Sequence, residues 1–164
     1  MTRKLIIKRE IRTLGLDLCN PRRLVGAIVR GGVYIDGVEA FPSNPILDSR
    51  SIGSAIVETR FFPELRLIMT HDPETRLDTK VIEKLTKLPV IQVNSARKKN
   101  PSGFKPYEVG GKKLQAKSSL LPRTIQEILS TTWTTGTLPE PLRIAHLLGR
   151  SRCFEKNTRF QANK

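Results

Sequence analysis

The chain has 164 residues, with 29 lysines and arginines against 15 aspartates and glutamates, so its formal net charge is +14. This excess favours an anionic partner. No apolar run approaches the roughly 18 residues of a membrane span, and the N-terminal stretch lacks the apolar core of a signal peptide. The two cysteines are far apart and form no CxxC or Cys/His cluster, which argues against a zinc site and predicts reduced thiols.

The positive charge is unevenly distributed along the chain. Residues 1–94 contain 15 basic and 11 acidic residues (net +4), whereas residues 95–164 contain 14 basic and 4 acidic residues (net +10). The first part therefore has the charge balance of a globular domain, and the second has that of a basic arm, whose commonest target is nucleic acid. Aromatic residues make up only 5% of the chain, too few for base-stacking platforms. Contacts with phosphates and with the shape of the nucleic acid are expected instead.

Residues 20–47 carry the most informative pattern. The apolar residues within 24–28 share one helical face, which predicts a short basic helix ending at Gly31-Gly32. Residues 33–35 then predict a strand, and Asp36-Gly37 predicts a tight turn. The expected unit is a helix with arginines followed by a small hairpin.

This order of elements resembles the S4-type RNA-binding module over residues 8–50. The module typically reads Gly-x-Val-x-Val-Asn-Gly followed by a strand that contains proline. The matching residues are Gly31, Val33, Ile35, Asp36 (in place of the usual asparagine), Gly37 and Pro42. Pro21 stands where the family usually has its first arginine, and the arginines follow one and two residues later. The resemblance implies that arginines 22, 23 and 30 contact RNA phosphates.

The middle of the chain predicts a strand, a helix and a second strand. The apolar run at 65–70 predicts a buried strand, Asp78 is a good helix N-cap, and Pro89 ends the helix that follows. A second apolar run at 90–93 predicts the next strand. This order indicates a βαβ unit with parallel strands and a right-handed crossover.

The tripeptide Arg76-Leu77-Asp78 suggests an alternative in which the protein is an enzyme. S4-type modules often precede pseudouridine synthase domains, whose Arg-Leu-Asp motif carries the catalytic aspartate, and the resemblance would give that role to Asp78. The tripeptide follows Asp36-Gly37 too closely for the strands of such a site, however, and a helix N-cap explains Asp78 without catalysis. No P-loop and no Ser-His-Asp grouping is present, and His146 is interpreted as a packing residue. No catalytic residue, metal or cofactor is therefore predicted.

From residue 95 the sequence becomes polar and basic. Residues 97–99 are consecutive basic residues in a segment rich in Pro and Gly, which is a flexible loop unless phosphates order it. Gly110-Gly111 predicts a hairpin turn followed by two solvated lysines. Short helices are predicted before a basic tail, one that begins at residue 118, 119 or 122 and ends at 129, and one over 141–148.

These patterns predict an α+β protein with three parts: an S4-like RNA-binding unit over 1–60, a βαβ unit packed on it over 61–94, and a basic extension with short helices over 95–164. The predicted function is that of a structural RNA-binding protein of a large ribonucleoprotein, namely a ribosomal protein of the cytoplasm or of the mitochondrion. The predicted RNA contacts are Arg22, Arg23, Arg30, Arg97, Lys98, Lys99, Lys112, Lys113, Arg150 and Arg152.

The expected partners are RNA, most simply rRNA, and neighbouring proteins of the particle, with no membrane and no small-molecule substrate. The expected location is the cytoplasm or the mitochondrion. Two alternatives stay open at this point. One is a pseudouridine synthase-like enzyme or its inactive relative, and the other is a viral nucleic-acid-binding or matrix protein.

Overall fold

A computed structural model describes residues 5–18, 24–41, 48–95 and 102–150. The chain is α+β, with a mixed seven-stranded sheet and four helices in the part described. The strands are β1 (Arg12–Asp17), β2 (Leu24–Arg30), β3 (Tyr34–Phe41), β4 (Leu67–His71), β5 (Val90–Ser95), β6 (Lys105–Val109) and β7 (Lys112–Ser118). The helices are α1 (Ser49–Glu58), α2 (Thr79–Thr86), α3 (Pro122–Thr132) and α4 (Glu140–Arg150). A 3-10 turn covers Phe62–Glu64.

The strand order is β3-β2-β1-β4-β5-β7-β6. The three central strands, β1, β4 and β5, run parallel to one another. On each side of them two strands continue the sheet in antiparallel fashion. One sheet therefore takes strands from all three of the predicted parts of the chain.

Helices cover both faces of this sheet. On one face, the α1/α2 face, Leu14 and Ile68 pack with Ile56 of α1 and Ile82 of α2. The opposite face, the α3/α4 face, is formed by the residues that alternate with them, for example Met69, in contact with residues of α3 and α4. None of the described helices is long and apolar enough to cross a membrane.

The helix predicted at the start of the S4-like unit is wrong, because residues 24–30 form strand β2. Ala27 and Val29 pack under α4 on one face, while Ile28 belongs to the core on the other. A strand covered on both faces is apolar at consecutive positions, so it lacks the alternation that identifies a strand. The predicted turn at Asp36-Gly37 is also wrong, since both residues lie within β3 and the chain turns at Gly31, where φ is +57°.

The βαβ prediction is confirmed. Strands β4 and β5 are parallel and α2 connects them. Asp78 is the N-cap of α2 and accepts hydrogen bonds from the backbone N–H groups of Lys80 (3.0 Å) and Val81 (3.4 Å). This role accounts for Asp78 without catalysis.

The prediction of a basic extension is wrong for the part that the structure describes, residues 102–150. The hairpin predicted at Gly110-Gly111 is present, with positive φ at both glycines, but its strands β6 and β7 complete the sheet beside β5. Helices α3 and α4 are also present, and they cover the α3/α4 face. Leu114 and Ile128 are both buried there. The segment resembles an extension in sequence because its exposed residues are rich in lysine, while most of its apolar residues are buried in the core.

A candidate metal centre at the carboxyl ends of two parallel strands

Two ionisable side chains meet where neighbouring parallel strands end. Asp17 is the last residue of β1, His71 is the last residue of β4, and the two are paired in the register of the sheet. Because they are aligned in parallel strands, their side chains leave the sheet on the same face and at the same edge. The carboxyl ends of parallel strands are the usual position of binding sites in open sheets covered by helices.

Helix α4 adds a third side chain, His146, because its first turn lies directly on β1. A Cβ atom at Gly15 would stand only 2.2 Å from the backbone oxygen of Pro141, so only glycine permits this approach. From Gly15 to Asp17 the strand advances about 7 Å, and from Pro141 to His146 the helix advances about 7.5 Å. The close approach of the two backbones therefore carries His146 to the end of β1.

The three side chains converge on one carboxylate oxygen. Asp17 Oδ2 lies 3.0 Å from His71 Nδ1 and 3.1 Å from His146 Nδ1. The imidazole rings meet edge to face, with centroids 6.5 Å apart and an interplanar angle of 63°. One ligand atom from each residue lies within 4.8 Å of the others. Asp17, His71 and His146 are called the Asp17 cluster below.

Exposure increases from the carboxylate outwards. The side chains of Asp17, His71 and His146 are 4%, 12% and 26% exposed, respectively. A nearly buried carboxylate is costly unless it is paired, and the two imidazoles provide the pairing. The gradient also means that the cluster opens to solvent on the side of His146.

The geometry suits a divalent transition-metal ion. Two neighbouring ligand atoms bound to one ion at about 2.0–2.1 Å are separated by roughly 2.8–3.4 Å in octahedral or tetrahedral coordination. The two oxygen–nitrogen distances in the Asp17 cluster, 3.0 and 3.1 Å, fall in this range. Two imidazoles and one carboxylate form a donor set suited to Zn, Fe, Ni or Cu rather than to Mg or Ca.

The described part of the predicted RNA surface is dispersed over several elements. Arg30 ends β2, Lys112 and Lys113 begin β7, and Arg150 ends α4; none of them belongs to the Asp17 cluster. Lys113 and Arg150 are exposed. The remaining predicted contacts lie outside the described residues; they are Arg22, Arg23, Arg97, Lys98, Lys99 and Arg152.

Two of these basic residues have partners within the protein. Arg30 Nε donates to Asp36 Oδ1 at 2.9 Å, and Arg12 Nε donates to the other oxygen of Asp36 at 2.6 Å. Burial raises the pKa of Asp36, but the hydrogen bonds from Arg12 and Arg30 outweigh it, so the pKa of this carboxyl is below its ordinary value. Lys112 Nζ donates to the backbone oxygen of Trp133 at 3.1 Å and lies 4.8 Å from the centre of its ring. The contacts of Arg12 and Arg30 link β1 and β2 to β3, and the contact of Lys112 links β7 to the end of α3.

Sequence reasoning missed the Asp17 cluster. Its members are separated by 54 and 129 residues from Asp17. One signal was available: Asp17 and His71 each end a short apolar run, at the positions where parallel strands would place them together. His146 gave no such signal, because its position depends on how α4 crosses β1.

No protein-family model matches the chain. Similar sequences are found among archaeal UPF0215 proteins. The protein of Methanosarcina barkeri is 27% identical, over 87% of this chain and 90% of its own length. The protein of Methanosarcina acetivorans is 29% identical, over 90% of this chain and 93% of its own length. The protein of Thermococcus gammatolerans is 28% identical, over 93% of this chain and 97% of its own length. A crystal structure of a protein of unknown function from Archaeoglobus fulgidus has a similar fold, with a TM-score of 0.65 and 19% identity over 85% of this chain and 96% of that one.

These similarities overturn the predicted function. The relatives match nearly the whole chain, and neither they nor the structural neighbour indicate a ribosomal or RNA-binding role. The prediction of a ribosomal RNA-binding protein is therefore wrong, and the pseudouridine synthase-like and viral alternatives find no support among these relatives. The mitochondrial location is wrong as well, since the relatives come from archaea, which have no mitochondria.

Proposed function

We propose that the Asp17 cluster binds one divalent transition-metal ion and that the protein is a metal-dependent hydrolase. The observation that carries this proposal is the convergence of Asp17 Oδ2 with both Nδ1 atoms, at 3.0 and 3.1 Å, at the carboxyl ends of two parallel strands. Three protein ligands are the usual number in catalytic sites, because they leave a coordination position for water.

A bound ion of this kind supplies a nucleophile at neutral pH, since it lowers the pKa of coordinated water to near 7. The chain's own residues would divide the remaining work. Asp17, held within the sheet, fixes the position of both imidazoles, whereas His146 lies at the solvent side, where a substrate would arrive. The net charge of +14 favours anionic substrates, so phosphate esters are the first to test, with a neutral carboxylic ester for comparison.

The experiment is a metal titration of the full chain after removal of bound metal. Zn²⁺ and Co²⁺ would be followed by calorimetry, and Co²⁺ also by its visible absorption, which reports coordination number. We expect binding of one ion per chain and a loss of affinity of about 100-fold or more in His146→Ala. The matched control is Leu147→Ala, the exposed neighbour of His146 on α4, which should leave the affinity unchanged.

Activity is tested separately, with p-nitrophenyl phosphate and p-nitrophenyl acetate as substrates. Hydrolysis that requires added metal and disappears in both His146→Ala and Asp17→Ala supports the proposal. Absence of metal binding by the folded wild-type chain refutes it. Activity that persists without metal but is lost in Asp17→Ala would point instead to an Asp–His pair acting as a general base.

A further inference from the structure

A groove of about 550 Å³ lies at the amino end of β5, on the edge of the sheet opposite to the Asp17 cluster. Its aliphatic floor is formed by Leu5, Leu88, Pro89 and Leu120. Leu88 belongs to the core of the α1/α2 face, whereas Leu5 and Leu120 pack against the core of the α3/α4 face. The groove, called the α2 groove below, therefore lies between the two cores, and its volume is in the range of small-molecule sites.

One wall of the α2 groove carries three lysines. Lys80, Lys84 and Lys87 follow one another along α2 and its C-terminal cap, about 10 Å from the first to the last. All three are exposed, and none of their ammonium groups has an ion-pair or hydrogen-bond partner among the described residues. The wall therefore presents a row of uncompensated positive charge beside an aliphatic floor.

Glu83 holds the walls of the α2 groove together. Its Oε1 accepts hydrogen bonds from the backbone N–H of Val90 at 2.9 Å and from the hydroxyl of Ser119 at 3.0 Å. These bonds connect α2 to β5 and to the segment between β7 and α3, so the walls are held at a fixed separation, which lowers the entropy cost of binding. Glu83 is the one acidic residue among the described residues that line the groove, and its carboxylate is already engaged.

The needs of the helix do not explain all three lysines. Lys84 lies near the C-terminus of α2, where a cation interacts favourably with the helix dipole, but Lys80 lies in the first turn, where the dipole disfavours it. Lys87 has a φ of +57°, in a left-handed position that usually has glycine or asparagine. Like charges four residues apart on a helix also repel each other. The charge of this wall is therefore better explained by an anionic ligand in the groove.

We propose that the α2 groove binds a small amphiphilic anion, a single aliphatic chain with a phosphate or carboxylate head group. The floor contains no aromatic side chain among its described residues, so it suits an aliphatic chain better than a nucleobase. The lysines hold the head group through charge-assisted hydrogen bonds. Residues 1–4, which precede Leu5, contain two basic residues and no acidic one, so they do not supply the anion. This proposal is independent of the Asp17 cluster.

The first measurement is calorimetric titration of the full chain with decyl phosphate, kept below the concentration at which it forms micelles. We expect one molecule bound per chain, with an affinity that falls as salt screens the lysines. Decanol, which has the same chain and no charge, should bind about tenfold or more weakly, because it loses the contacts with the lysines. Decyltrimethylammonium, whose head group is a cation, should not bind.

Three combined substitutions remove the charge of the wall and keep the groove. Lys80→Gln and Lys84→Gln retain good helix formers, and Lys87→Gly introduces the residue that a left-handed cap favours. The triple variant should be about as stable as the wild type in urea denaturation, yet bind decyl phosphate about tenfold or more weakly, at roughly two- to fivefold per lysine. The matched control removes three exposed positive charges elsewhere and should keep its affinity; it combines Lys105→Gln, Lys113→Gln and Arg150→Gln.

Amide chemical shifts give the position of the ligand. Addition of decyl phosphate should move the shifts of Leu88 and Leu120 and leave those of Asp17 and His71 unchanged. Four results would overturn the proposal: no saturable binding by the folded wild-type chain, decanol binding as tightly as decyl phosphate, an equal affinity in the triple variant and its matched control, or shift changes away from the groove. Tighter binding to phosphatidylglycerol vesicles than to decyl phosphate would also overturn it, because the ligand would then be a membrane surface.

Discussion

Replacing Gly15 by alanine tests how the site is built. The new Cβ atom would lie 2.2 Å from Pro141 O, 2.3 Å from Pro141 C and 2.8 Å from Pro141 Cβ. Contacts shorter than about 3.2 Å are not tolerated, so α4 must move away from β1 by roughly 1 Å. The obstacle is helix backbone rather than the end of a flexible side chain, so it cannot rotate out of the way.

The expected cost is about 1–3 kcal/mol of unfolding free energy, the range for adding a methyl group to a tightly packed region. The same movement separates His146 from Asp17. A metal site built from both should therefore lose affinity by a factor larger than the change in stability alone explains. Urea denaturation measures the first effect, and metal titration of the folded variant measures the second.

Gly149→Ala is the matched control, because Gly149 lies in the same helix and a Cβ atom there meets no atom of the described residues within 4 Å. This substitution should stabilise the protein by up to about 1 kcal/mol, since alanine favours a helix over glycine. A Gly15→Ala variant that is as stable as the wild type, and that binds metal as tightly, would refute the reasoning about the close approach.

Three further predictions concern single side chains. Asp78→Ala removes the N-cap of α2 and should cost about 1 kcal/mol in urea denaturation, with metal affinity unchanged. Trp133→Phe removes the 3.0 Å hydrogen bond from Nε1 to Gly136 O and should cost about 1–2 kcal/mol, measured in the same way. The lowered pKa of Asp36 means that its stabilisation is complete above its unfolded pKa of about 3.9 and is lost as pH falls through its folded pKa. Stability should therefore fall less steeply between pH 5 and about 2 in Asp36→Asn, as measured by urea denaturation across that pH range.

The sequence predicted elements whose pattern is local. The βαβ unit, the N-cap at Asp78 and the Gly110-Gly111 hairpin were each readable from a few neighbouring residues. Strand β2 was not, because α1 and α4 are distant in sequence and their cover on both of its faces removes the alternation. The position of the lysine-rich strands β6 and β7 beside β5 could not be predicted either, because it depends on a long-range pairing.

The candidate site was harder to predict than the fold. Asp17 and His71 could be expected at one sheet edge only after β1 and β4 were known to be parallel neighbours, and the chain separates them by 54 residues. His146 needed in addition the crossing point of α4 over Gly15. Neither relation produces a periodic pattern in the sequence. The composition and the motifs therefore indicated the basic residues as the functional ones instead.

The position of His146 on the last described helix has a consequence for synthesis of the protein. Asp17 is made 129 residues before its second imidazole partner. At typical rates of chain elongation, a nascent chain spends on the order of ten seconds with an incomplete cluster. The three side chains come together only after α4 has left the ribosome and docked on β1. Assembly of the cluster is therefore a late event, and a chain that ends before His146 has no means of completing it.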